Sequence, residues 1–133
     1  MKSSIEQVVT AIASSWGPDT CFRADDWSEQ NPARGQCVVS ALVFQHYLGG
    51  DLQSFEVTGK NVHESHYANR LSATLIDVTA GQYRGMDISM RPKQIGLQGH
   101  SSVREKRLAD PDTRARYDIL LSRVESKLQS SRV

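Results

Sequence analysis

The sequence has little of what usually classifies a chain on sight. It carries two cysteines, Cys21 and Cys37, too few for a disulfide framework. A single Cys21–Cys37 bridge is open in principle but belongs to an oxidising compartment, and nothing in Met1-Lys2-Ser3-Ser4 forms the apolar core of a secretion signal. The expectation is a cytoplasmic protein with free thiols. No apolar run approaches the roughly 20 residues of a membrane span, so no membrane is expected. Formal net charge is only +1, and no dense basic patch is interleaved with aromatics, so nucleic acid is not an expected partner. Internal repeats and low-complexity tracts are absent, and the leading reading needs neither a cofactor nor a resident metal.

What is present suffices for one domain, 1–133, with 38% hydrophobic residues and enough length to bury a core without staples. Charge is unevenly spread. From residue 91 onward ten Lys/Arg meet five Asp/Glu, against six and ten before it. The basic end reads as a solvated helix face, with a partner surface as the alternative.

Local patterns set out an α+β fold. Ser3 to Glu6 has capping-box spacing, and Ile5, Val8, Val9 and Ile12 then recur on one face of a helix ending near Trp16-Gly17-Pro18. Residues 18–36 lack periodicity and read as a structured loop with a helical turn around Asp25–Glu29. From Gln36 to Leu48, Val38, Val39, Leu42 and Val43 cover a wide apolar arc that His46 and Tyr47 extend, stopped by Gly49-Gly50. Such a helix is central. Strands are expected over Leu52–Thr58, His66–Leu71 and Thr74–Val78, the last two as a hairpin, then a helical turn over Thr79–Tyr83. Residues 84–100 read as an irregular loop able to fold over a site. A short helix over Ser101–Leu108 and a longer one capped by Asp110-Pro111 complete the chain, the latter lined by Tyr117, Leu120, Leu121, Val124 and Leu128. The expected architecture is a central helix carrying Cys37 on a small antiparallel sheet, flanked by N- and C-terminal helices.

The chemistry concentrates at Cys37, where a polar, turn-rich entry switches into the central helix. A thiol there meets unpaired backbone N–H groups and the positive end of the macrodipole, which favour the thiolate. His66 and Asp77 follow on successive strands, where cross-strand neighbours lie within reach of an imidazole–carboxylate bond. Cys, His, Asp in that order is a way to build acyl-transfer chemistry, with nucleophile, base and orienting acid.

The run Asn31-Pro32-Ala33-Arg34-Gly35-Gln36-Cys37, with Ala41-Leu42-Val43, Leu48-Gly49-Gly50, His66-Tyr67-Ala68-Asn69, Asp77-Val78-Thr79, Gln82-Tyr83 and the Arg116-Tyr117 helix, resembles the YunG-like family of small bacterial proteins. That resemblance spans most of the chain and implies no reaction. Gly35-x-Cys37, the strand end Val57-Thr58-Gly59, His66 beside an aromatic, and Asp77-x-Thr79 also resemble the core of papain-like and transglutaminase-like thiol enzymes. This implies Cys37 as nucleophile, His66 as base and Asp77 as orienting acid, without carrying over a substrate class. The reaction expected of those three residues is hydrolysis or acyl transfer at an amide in an unknown small molecule or peptide.

Gln36, with the Cys37 backbone N–H, is the oxyanion candidate, with Asn31 and Gln30 further back. Trp27, Asn31 and Tyr67 are candidate cleft residues. Asn69, three positions past His66, should face away from it on a regular strand and hold a turn. Two rival readings stay open: a zinc site from Cys37, His63, His66 and Asp77, and a binding module that keeps the fold without catalysis.

Overall fold

The computed structural model describes residues 3–130. Helices α1 (Ile5–Ala13), α2 (Cys37–Leu48), α3 (Val103–Leu108) and α4 (Pro111–Ser130) accompany strands β1 (Asp51–Gly59), β2 (Val62–Leu71), β3 (Thr74–Ile76) and β4 (Ile88–Lys93). The strands make one antiparallel sheet in the order β3-β2-β1-β4. The fold is α+β.

Helix α2 is apolar on nearly every side because every side has something to bury against. Val39, Leu42, Val43 and Phe44 join Val8, Ala11 and Ile12 of α1 and Leu120, Val124 and Leu128 of α4 in the core, and α2 also packs on β2. Leu42 is fully buried in that cluster. Leu42→Ala is therefore expected to lower unfolding free energy by about 2–5 kcal/mol, read as a shifted urea midpoint. The helix stops at Gly49 and Gly50, with φ of 76° and 80°; a Cβ on Gly50 would lie 2.5 Å from the Arg70 carbonyl oxygen. Chain reversal into β1 needs both.

Several boundaries differ from the sequence reading. The capping box is Ser4–Gln7, not Ser3–Glu6: Ser4 Oγ accepts from Gln7 N at 3.1 Å and Gln7 Oε1 from Ser4 N at 2.8 Å. Ser4 takes the cap because Ile5 is the first helical residue. The helical turn expected at 25–29 is a 3-10 turn over Ala24–Asp26, and another covers Ala80–Tyr83. Strand β2 starts at Val62, ahead of His66, and β3 ends at Ile76, short of Val78. The largest correction lies in 84–100, where β4 pairs with the free side of β1 from Gly59↔Ile88 to Ser54↔Lys93. Pro92 hid this strand, since proline lacks a ladder donor; at a sheet edge one side needs none.

The 18–36 loop tucks beneath the start of α2. Phe22 N donates to Gly35 O at 2.8 Å, and Gly35 sits at φ 75°, where a Cβ would meet Cys21 Sγ at 2.5 Å. Helix α4 starts on Pro111, with Asp110 Oδ2 accepting from Thr113 N at 3.0 Å.

Candidate functional site

Cys37 is the first residue of α2, and the preceding Gln36 makes no side-chain cap bond. The first-turn N–H groups are thus left without intrahelical acceptors beside the thiol. Cys37 is half-buried and opens onto a cleft of about 730 Å³, shared with Val38, Tyr67 and Gln82.

His66 arrives from β2, fully buried. Ile76, the last residue of β3, pairs with Asn69, so Asp77 lies one step on, diagonal to His66. Its Oδ2 is 2.7 Å from His66 Nε2. With Nε2 held, Nδ1 is the nitrogen left for other partners, and the Cys37 thiol interacts with the ring. Burial, the largest single influence, disfavours the charged ring. Hydrogen bonds to Asp77 and Cys37 and their charges outweigh it, raising the pKa from 6.5 to about 9.

The sign of the stability dependence follows. The folded state holds this proton more tightly than the unfolded chain, whose histidines titrate near 6.5. The stabilisation is complete below about pH 6.5 and lost as pH rises to about 9. Wild type is expected to lose up to about 3 kcal/mol between these limits, from urea midpoints, and Asp77→Asn to show a flatter profile.

A supporting layer surrounds the pair. Gln82 Nε2 donates to Thr79 Oγ1 at 3.2 Å and lies 3.4 Å from His66 Nδ1. Tyr83 packs edge-on to the imidazole, centroids 5.3 Å apart, and its hydroxyl donates to Glu64 Oε2 at 2.8 Å. Glu64 also accepts from Arg34 Nη1 at 2.7 Å. Burial alone would raise the Glu64 carboxyl, but Arg34 and Tyr83 outweigh it and hold its pKa below the usual range. Sequence reasoning assigned no role to Gln82, Tyr83 or Glu64. The signal was the Gln82-Tyr83 pair just past Asp77, on a 3-10 turn that folds both under the histidine.

The other expected residues divide. Tyr67 lines the cleft; Trp27 and Asn31 are not among its lining. Asn31 instead donates from Nδ2 to Gln82 O at 3.2 Å, tying the loop to that turn. The Gln36 side chain is fully buried and its Nε2 donates to Gly17 O at 3.1 Å, so its amide is spent away from the thiol. The amide beside the histidine is Gln82. Asn69, expected to hold a turn, is buried and donates from Nδ2 to Ala41 O of α2 at 2.9 Å, fastening β2 to the helix that carries Cys37. His63 is exposed and pairs with Glu56 Oε1 at 2.7 Å. Among the described residues no group of three His, Cys, Asp or Glu side chains converges as a metal ligand set. Cys21 is buried, with Sγ donating to Arg34 O at 3.1 Å, and burial raises its pKa. No helix among the described residues is long and apolar enough to cross a membrane.

The family profile described as YunG protein matches residues 4–129. Over 81 residues the chain is 32% identical to the "Uncharacterized protein YunG" of Bacillus subtilis strain 168, covering 60% of this chain and 64% of that relative. The match thus spans less than two thirds of the relative's own length. No solved structure matches. The chain belongs to the YunG family.

Proposed function

For a YunG-family chain with this geometry, we propose a cysteine-dependent amide hydrolase or acyl transferase, working in a reducing cytoplasmic setting. The observation that carries the reading is the fully buried His66, bonded to Asp77 at 2.7 Å and interacting with the Cys37 thiol at the start of α2. The order of helix-borne thiol, strand-borne imidazole and acid after the next strand supports a papain-like or transglutaminase-like core in α2–β2–β3.

In the proposed reaction the Cys37 sulfur attacks the carbonyl carbon of an amide in a small molecule or peptide. The oxyanion that forms meets first-turn N–H groups of α2 and the Gln82 amide. The imidazolium of His66 gives its proton to the leaving nitrogen, the C–N bond breaks, and an amine departs from a Cys37 thioester. Water, or an acceptor amine, then loses a proton to His66 and attacks the thioester. The thiol is restored, and a carboxylic acid or a new amide leaves. Throughout, Asp77 holds the ring by Nε2, so that Nδ1 handles the proton.

Intact-mass analysis with amide, ester and isopeptide probes tests the reading. Wild type should gain an acyl mass on Cys37 and Cys37→Ala should gain none. If no probe marks Cys37, while Asp77→Asn merely lowers the melting temperature, the site is a structural remnant in a binding protein.

A further inference from the structure

The cleft in front of Cys37 is strongly cationic. Arg23, Arg34, Lys93, Lys106, Arg107 and Arg116 line it, against two acids, Asp26 and Glu64. Three of the six cations spend their charged end on a close partner: Arg34 on Glu64 at 2.7 Å, Lys93 on Ser65 Oγ at 3.2 Å and Lys106 on the Gly96 carbonyl. Arg107 and Arg116 differ. Among the described residues neither forms an ion pair within 4.0 Å, although both, after the Thr113 hydrogen bonds, help to lower the Asp110 pKa. Arg116 Nη2 makes only one long bond, to Thr113 Oγ1 at 3.4 Å, and the Nε of each is shielded from water without a hydrogen-bond partner.

Each guanidinium lies over an aromatic face. Arg107 lies 5.8 Å over the Tyr67 ring, and Arg116 lies 5.4 Å over Phe22, which is 65% exposed and carries Arg23 at 5.9 Å. A guanidinium over an aromatic ring is attracted to the ring face while its forked N–H donors stay available to an oxyanion. Concave walls of one sign focus the field and concentrate counter-ions.

We propose that Arg107 and Arg116 form an anion subsite, so that the acyl substrate of Cys37 carries a carboxylate or phosphate group. This rests on the thiol-site reading above. The basic character of the chain beyond residue 91 then has a use: Lys93, Lys106, Arg107 and Arg116 all come from it.

Two alkylating reagents of nearly equal size test the charge directly. Iodoacetate and iodoacetamide both form a C–S bond to the thiolate and expel iodide, but only iodoacetate is anionic. Their rate ratio at Cys37 cancels changes in thiolate population and reports the local field. At low salt the ratio is expected to exceed that of a free cysteine peptide by about tenfold. It should fall back toward the peptide value in Arg107→Gln/Arg116→Gln, and in wild type at about 1 M salt, where the Debye length is roughly 3 Å.

At matched ionic strength, protection of Cys37 by glutarate identifies a carboxylate subsite and protection by inorganic phosphate a phosphate subsite. A low-salt ratio no higher than the peptide's, a ratio unmoved by salt, or protection by neither anion overturns the proposal. Should the double variant not fold, the salt series on wild type decides. Failure of the thiol-site reading looks different: iodoacetamide would label Cys37 no faster than Cys21, while the ratio would still read the field.

Discussion

A brief pulse of iodoacetamide near pH 6.5 is expected to alkylate Cys37 at least about a hundredfold faster than Cys21, read by peptide mass spectrometry. The two thiols differ in surroundings. Cys21 is 3% exposed, its Sγ donates to Arg34 O, and burial favours its neutral form, so little reactive thiolate is present at that pH. Cys37 opens on the cleft, sits at the unpaired N–H groups of α2, and interacts with an imidazole whose protonated form persists to about pH 9. Equal and slow labelling of both cysteines would leave Cys37 as packing at a helix start and favour the binding-module reading.

His66→Ala is expected to erase most of that advantage, lowering Cys37 labelling near pH 6.5 by more than about tenfold. It should also cost about 3–5 kcal/mol of stability, because Asp77 loses the partner of its Oδ2 while its Oδ1 is already buried without one. Asp77→Asn separates the two effects. It keeps the shape and most of the folding, yet removes the charge that holds the protonated ring, so the labelling advantage should shrink while the protein stays folded. A variant that loses stability but labels Cys37 at the wild-type rate would show that the pair only supports the fold.

Much of this arrangement was legible before any coordinates. The apolar arc from Val38 to Val43 announced a central helix, because residues at that spacing must be buried on several sides. The position of Cys37 at the polar-to-apolar switch placed it at the helix start, and His66 to Leu71 and Thr74 to Val78 read as a hairpin, of which β3 keeps Thr74 to Ile76. The Cys, His, Asp order came from those local patterns alone.

Other residues had no local signal. Gln36 stands beside Cys37 in sequence, yet the backbone at Gln36 turns its side chain into the core, onto Gly17 O. Gln82 is distant in sequence, and only the 3-10 turn after β3 carries it to His66. Asn69 reaches Ala41 on α2, a contact set by how the helix docks on the sheet and not by any local pattern around it. The strand at Ile88–Lys93 was masked by Pro92, whose missing donor is tolerated at a sheet edge but not between two paired strands.

The sequence by itself determined the elements that periodicity can encode: α2, the β2–β3 hairpin, α4 and a thiol at a helix start. Tertiary structure decided which side chains share a space. Convergence of Glu64, Tyr83 and Gln82 on His66, and of Arg107 and Arg116 on the mouth of the Cys37 cleft, depends on sheet order and helix docking. Those are set by the burial of whole faces, and no single stretch of the chain records them.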